Sequence, residues 1–198
     1  MFSRTYTIVG IAKMLYEFTP PLPQHHTAIE ALLDASFGPN RLAKTSYRFR
    51  QNVDAVAQLG LVAHHGDKLV GTIAYWPVEI GEQALPALLL GPLAVEPSLR
   101  GHGIAVALIR KTLSKAKRAG YRTVVLVGDA EYYSRFGFVA AASRGIRMPG
   151  EPDRLMVKFL APEPTGLVEG TVRPYGRDAT RRSQTSRTAP SPPFCAVT

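Results

Sequence analysis

The chain has a single cysteine, Cys195, close to the end of its 198 residues. An intrachain disulfide and a cysteine-based zinc site are therefore excluded. Long apolar runs are also missing: the longest, such as Leu85–Leu90 and Val124–Val127, fall far short of the about 18 residues a membrane span requires. The first residues place Arg4 and Lys13 around a weakly apolar Thr5–Ala12, and no small-residue cleavage site follows. That argues against a secretory signal. Acidic residues are few, 15 against 24 Lys plus Arg, for a formal charge of +9. A chain of this length with 45% hydrophobic residues buries most of the surface its unfolded state exposes, so it needs no staples. The expectation is a soluble, cytoplasmic protein without metal or membrane contact.

The positive charge is unevenly placed. Residues 171–198 contain Arg173, Arg177, Arg181, Arg182 and Arg187 against Asp178 alone, which is +4 of the total +9. The same stretch holds Pro174, Pro190, Pro192 and Pro193 among Ser and Thr, with almost no periodic apolar residues. Such a composition cannot bury enough surface to offset the entropy of ordering it. Three regions are expected: an N-terminal extension over 1–14, with Met14 an alternative start, one folded domain over 15–170, and a basic, disordered tail over 171–198.

Within the domain the hydrophobic period changes several times. Leu15–Phe18 reads as a short strand ended by Thr19–Pro23, and Ala28, Ile29, Leu32, Leu33 and Phe37 recur at helical spacing up to Gly38-Pro39. Residues 40–54 are polar and basic and read as a second helix or an ordered loop. Leu61–His64 and Lys68–Tyr75 form a predicted hairpin around His65-Gly66-Asp67, and Trp76–Ile80 extends or follows it. Ala87–Val95 is a nearly continuous apolar run, as in a central strand buried on both faces, with a bend at Gly91-Pro92. From Gly103 to Gly120 the period is helical. Tyr121–Val127 is a strand, Asp129–Phe136 a short helix, Phe138–Ala142 a strand, and Leu155–Leu160 the last clear strand, reached through a loop over Gly145–Asp153.

The informative segment joins the central strand to that long helix: Leu93-Ala94-Val95-Glu96-Pro97-Ser98-Leu99-Arg100-Gly101-His102-Gly103-Ile104-Ala105. Glycines there let the backbone approach a ligand, and the free amides of a first helical turn attract anionic oxygens. Gly-x-Gly alone is weak, since it also suits a plain structural turn. It is not a Walker loop, because no Gly-Lys-Ser/Thr follows, and it lacks the third glycine of a dinucleotide fingerprint.

Two motifs together carry more. Arg100-Gly101-His102-Gly103-Ile104-Ala105 resembles, at every fixed position, the Gln/Arg-x-x-Gly-x-Gly/Ala pyrophosphate loop of the GNAT superfamily of acetyl-CoA-dependent N-acetyltransferases. Tyr132-Tyr133-Ser134-Arg135-Phe136-Gly137-Phe138 resembles the aromatic-Tyr-x-x-x-Gly-Phe block of the same superfamily. The resemblance covers roughly residues 15–160 and is nearest to a bacterial subgroup of small, poorly characterised members. It implies an α/β (α+β) fold with a mixed, mostly antiparallel sheet, splayed at the middle and flanked by helices on both faces. It further implies that amides of Arg100, Gly101, His102, Gly103, Ile104 and Ala105 hold the pyrophosphate of acetyl-CoA, while Leu93, Ala94 and Val95 offer main-chain groups to the pantetheine. The Gly91-Pro92 break fits a bulge that opens the sheet to the thioester. One departure is Gly128-Asp129, where many members carry an Asn, which puts contacts to the pantetheine amide in question.

Acetyl transfer to an amine needs a neutral amine, a polarised carbonyl and a proton for the leaving thiolate. By resemblance Tyr133 donates that proton, whereas packing is the better reading of Tyr132, Phe136 and Phe138. No base is identifiable; Glu79 and Glu96 are nearby carboxylates that read as surface groups. His25-His26 and His64-His65 are adjacent pairs whose spacing does not suit one metal. Arg41, Lys44, Arg48 and Arg50 fall where the superfamily builds its acceptor site. A solvated basic face is their simpler reading, and attraction of an acidic acceptor or a cofactor phosphate is the other. The leading expectation is an N-acetyltransferase moving the acetyl group of acetyl-CoA to a primary amine of a small molecule or protein, with a homodimer left open. A non-catalytic acyl-CoA-binding regulatory module is the alternative. Nucleic-acid binding is the weakest reading, since no helix-turn-helix or RNP pattern accompanies the charge.

Overall fold

A computed structural model of the chain describes residues 16–151, 153–161 and 168–176. The expected N-terminal extension, Cys195 and residues 177–198 lie outside the described residues. In order, the elements are β1 (Tyr16–Thr19), α1 (His26–Phe37), α2 (Thr45–Arg48), β2 (Leu61–His65), β3 (Lys68–Ile80), β4 (Leu85–Val95) and α3 (Ile104–Arg118). They are followed by β5 (Thr123–Val127), α4 (Ala130–Ser134), β6 (Val139–Ala140), β7 (Ile146–Arg147), β8 (Leu155–Phe159) and β9 (Gly170–Pro174).

The strands form one mixed, mostly antiparallel sheet in the order β1-β2-β3-β4-β5-β8-β6. Among the described residues, only β4 with β5 and β7 with β9 run parallel. The two apolar clusters explain why β4 reads as a continuous hydrophobic run. Leu88 and Leu90 face a core made with Leu108, Ile109 and Ala116 of α3, whereas Ala87 and Leu89 face Phe49, Ile146, Met148 and Val172 on the other side. α1 lies on the face opposite α3, where its Leu32 and Leu33 meet Ala94. Helices therefore cover both faces. Gly71 sets how closely α3 approaches: a Cβ there would stand 3.0 Å from Ile104 Cγ2 and 3.2 Å from Leu108 Cδ1. The first turn of α3 rests on bare β3 backbone.

Two irregularities open the sheet at its centre. Tyr75 pairs with Leu90 and Ile73 with Leu93, so Gly91 and Pro92 together face Ala74 alone, a bulge on β4. On the other edge β4 pairs with β5 only at Leu88 and Leu89. Beyond Leu89 the two parallel strands part, and the outward backbone groups of the last half of β4 meet no strand among the described residues.

Several boundaries differ from the sequence expectation. The strand expected over 138–142 is reduced to Val139–Ala140, because Ala141–Arg144 coils into a 3-10 turn. The expected loop 145–153 contributes β7. The expected disordered tail begins inside the sheet: Val172, Arg173 and Pro174 pair with Ile80, Glu79 and Val78 of β3. Val172 is buried at 1% exposure, which is the apolar contact that orders a segment of otherwise polar composition. Pro174 is tolerated because it ends the strand.

Candidate active site

The glycine turn after β4 folds as the spacing requires. Pro97–Leu99 forms a 3-10 turn, Gly101 and Gly103 take φ of 84° and 81°, and Gly103 is the N-cap of α3. A side chain would be strained in this left-handed region. No side chain caps the helix, and Ala107 is the first amide bonded back into it, to Gly103. The amides of Ile104, Ala105 and Val106 are thus without intrahelical acceptors, at the positive end of a 15-residue helix.

These amides border a cleft of about 400 Å³. It is lined by Leu93, Ala94 and Val95 of β4, by Leu99, Arg100, Gly101, Gly103, Ile104, Ala105 and Val106 of the turn and helix, and by Ser36, Phe37, Tyr132 and Arg135. Of the loop residues expected at a pyrophosphate, only His102 is not in this lining. Its ring Nδ1 lies 3.2 Å from the Arg100 carbonyl and its amide donates to Leu99 at 3.4 Å, so both polar groups serve the turn itself.

A second cavity of about 230 Å³ lies on the other side of the opening between β4 and β5. Leu89, Leu90, Gly91, Pro92 and Leu93 form one wall, Val127, Gly128, Asp129 and Tyr133 another, and Phe37, Lys44, Ser46, Tyr47, Arg50, Glu151 and Arg154 the remainder. Phe37 and Leu93 border both spaces, so the two meet at the splay.

The short helix α4 separates the two tyrosines. Asp129 caps it by accepting from the Tyr132 amide at 2.8 Å. Tyr132 then faces the first cleft and Tyr133 the second cavity, their rings edge to face at 5.0 Å. Tyr133 also meets Phe138 edge to face at 6.0 Å. Burial, with a smaller contribution from Tyr132 and against the opposing charge of Arg154, pushes the Tyr133 hydroxyl up to about 12. At neutral pH it is a protonated donor.

The four basic residues 41–50 separate into different roles. Arg41 is 3% exposed; its Nε donates to Asp34 at 2.6 Å, its Nη2 to Glu30 at 2.5 Å and its Nη1 to Tyr47 at 3.1 Å. It ties the following turn to α1. Lys44 lies over the Phe37 ring at 5.4 Å, and Arg48 is exposed. Arg50 turns inward and stacks over the Tyr47 ring at 4.1 Å, with Trp76 at 5.9 Å. Burial pushes its pKa down to about 10, which leaves it charged at neutral pH. The reading as a solvated basic face holds for Lys44 and Arg48 but not for Arg41 or Arg50.

The two carboxylates weighed as bases border neither space. Glu96 pairs with Lys68 at 3.0 Å, and Glu79, expected at the surface, is 4% exposed within β3. The carboxylates that do reach the second cavity, Asp129 and Glu151, come from segments far apart in the chain. Sequence reasoning had no signal for Ser36, Phe37, Glu151 or Arg154, since only folding brings the end of α1 and the segment before β8 to β4.

Comparison with known proteins fits this geometry. The family profile described as an acetyltransferase (GNAT) domain matches residues 23–141. The uncharacterised N-acetyltransferase YhbS of Escherichia coli K12 is 36% identical over 155 residues, which is 75% of this chain and 92% of that protein. The crystal structure of YhbS in complex with CoA superposes with a TM-score of 0.70 at 32% identity, covering 79% of this chain and 88% of that one. A GNAT acetyltransferase from Brucella melitensis in complex with acetyl-CoA gives a TM-score of 0.61 at 28% identity, over 81% of this chain and 96% of that one. By sequence and by fold, this chain belongs to the GNAT family of acetyltransferases.

Proposed function

We propose that the chain transfers the acetyl group of acetyl-CoA to a primary amine by direct attack, with Tyr133 as the acid that protonates the leaving thiolate. The observation that carries this reading is the pair of spaces meeting at the β4–β5 opening, one bordered by free helix amides and the other by Tyr133. A donor lies in the first cleft. The amides of Gly103, Ile104 and Ala105, with those of the Arg100–Gly101 turn, take the pyrophosphate oxygens, where the dipole of α3 adds to their hydrogen bonds. Leu93, Ala94 and Val95 present strand amides and carbonyls to the pantetheine arm, as a further strand would.

The thioester then reaches the bulge at Gly91-Pro92, and the acceptor amine approaches from the second cavity. An outward amide near Leu93 polarises the thioester carbonyl and stabilises the oxyanion that forms when the amine attacks. As the tetrahedral intermediate collapses, the carbon–sulfur bond breaks and the Tyr133 hydroxyl gives its proton to the thiolate. The proton released by the attacking nitrogen passes through water or a carboxylate of the cavity and finally restores the Tyr133 hydroxyl. Neither Glu79 nor Glu96 is placed to accept it, and the amine enters neutral because an ammonium has no lone pair with which to attack.

Tyr133→Phe tests the acid. Release of CoA with a reactive amine should fall by about a hundredfold, with acetyl-CoA affinity kept. Unchanged turnover would remove Tyr133 from the mechanism.

A further inference from the structure

Among the described residues that line the second cavity, Arg50 alone carries buried side-chain donors with no hydrogen-bond partner. Its Nε and Nη1 are buried with no hydrogen-bond partner, although Asp129 and Glu151 border the same cavity. Asp129 is engaged as the cap of α4. Arg41, nine residues earlier, shows the contrast: its guanidinium is met by two carboxylates and a hydroxyl. A buried cation without a counter-ion is costly to a fold, and it persists where a ligand supplies the missing charge. The Nε1 of Trp76, beside the guanidinium, is a second buried donor with no partner.

Position gives the site its meaning. Arg50 Nη2 lies 3.4 Å from where a Cβ on Gly91 would stand, so the guanidinium borders the bulge at which the thioester arrives. Tyr47 holds it flat from one side at 4.1 Å. A fixed planar fork of N–H donors matches the two oxygens of a carboxylate.

We propose that Arg50 anchors a carboxylate of the acceptor, so that the amine acetylated by this chain belongs to an amino-acid-type molecule. The inference rests on the acetyl-transfer reading above, since it assigns the acceptor of that site. Burial of the anchor next to the reacting carbon favours an amine only a few bonds from its carboxylate. The cavity of about 230 Å³ is of amino-acid scale. Simple amines of the same shape leave Arg50 unpaired and are poor acceptors.

Matched pairs test this with the full chain and acetyl-CoA: phenylalanine against phenethylamine, tryptophan against tryptamine, lysine against cadaverine, arginine against agmatine, with O-phosphoethanolamine as a phosphate arm. CoA release should favour the acid in at least one pair by about tenfold or more in kcat/KM. Arg50→Met should collapse that preference through the acceptor KM, and Arg50→Lys should restore part of it. The melting temperature of Arg50→Met should hold or rise, because an unpaired buried cation is gone.

A turnover-independent reading uses the fluorescence of Trp76, the only tryptophan. With CoA present, N-acetyl-phenylalanine, N-acetyl-methionine or N-acetyl-alanine should give a saturable change that the matching N-acetyl amides and the Arg50→Met protein do not. Equal use of acids and amines, preference for the phosphate arm, or a preference that survives Arg50→Met would overturn the carboxylate anchor. So would a lowered melting temperature with acids and amines impaired alike, or no acid-specific signal in the titration. If no amine is acetylated while the titration succeeds, the anchor stands and the acetyl-transfer reading fails alone.

Discussion

The ring of Tyr133 lies directly against the backbone of Gly128, so closely that a Cβ on Gly128 would stand 2.7 Å from Tyr133 Cδ2. Gly128 is itself held, its amide donating to the Arg154 carbonyl at 2.9 Å. The residue between β5 and α4 thus sets where the phenol sits. Gly128→Ala should push the ring out of place and lower kcat by about tenfold to a hundredfold, since displacement of a reacting group by an ångström has effects of that size. The acetyl-CoA KM should be unaffected. Steady-state kinetics on both substrates checks this, and an unchanged kcat would mean that the ring position is immaterial.

The acidity of Tyr133 shapes the pH profile. Its hydroxyl is held near 12 by burial, so it remains protonated through the range in which amines lose their protons. The kcat/KM for the acceptor should rise with pH as the free amine forms and then level off, with no falling limb below about pH 10. A fall at pH 8–9 that disappears in Tyr133→Phe would contradict the raised value.

Gly103 separates a cost of conformation from a cost of occupancy. A Cβ there meets nothing within 4 Å, yet φ is 81°. Gly103→Ala should cost about 1 kcal/mol of stability from the left-handed backbone and still bind acetyl-CoA. Gly103→Glu should suffer the same strain and also place a carboxylate in the path of the pyrophosphate. Calorimetric titration with acetyl-CoA should then find binding abolished; native affinity in Gly103→Glu would place the pyrophosphate elsewhere.

Beneath α3, Tyr75 and Thr112 share a buried hydrogen bond of 2.8 Å, and the Thr112 hydroxyl donates onward to the Leu108 carbonyl at 2.7 Å. Thr112→Val strands the Tyr75 hydroxyl, which is fully buried. Thermal or denaturant unfolding should register a loss of about 1–3 kcal/mol. Tyr75→Phe should lose less, about 1 kcal/mol, because Thr112 keeps its bond to Leu108. Acetyl-CoA affinity should not change in either variant, and a comparable loss in both would place the cost elsewhere.

Much of this protein was legible in its residue order, because the information was local. The run Ala87–Val95 announced a strand buried on both faces, and Gly91-Pro92 its interruption. The glycines at 101 and 103 announced a turn whose backbone only glycine adopts without strain, followed by helix amides with no partners of their own. The stretch Asp129–Phe136 announced a short helix, which the structure shortens to Ala130–Ser134. Each of these depends on a few neighbouring residues and on dihedral preferences that a sequence records directly. The β9 strand escaped notice because its ordering depends on one buried valine, Val172, meeting β3 across the chain.

What only the tertiary structure decided is which polar groups are compensated. Arg41 and Arg50 stand nine positions apart in one basic stretch, and nothing in composition or period separates them. Folding brings Glu30 and Asp34 of α1 to the first and leaves the second stacked on Tyr47 beside the opening of the sheet. Sequence determined the elements, the glycine turn and the tyrosine block, since these follow from local backbone energetics. The fate of a charge depends on distant carboxylates and on the water it loses, and those are fixed only when the sheet and helices close around it.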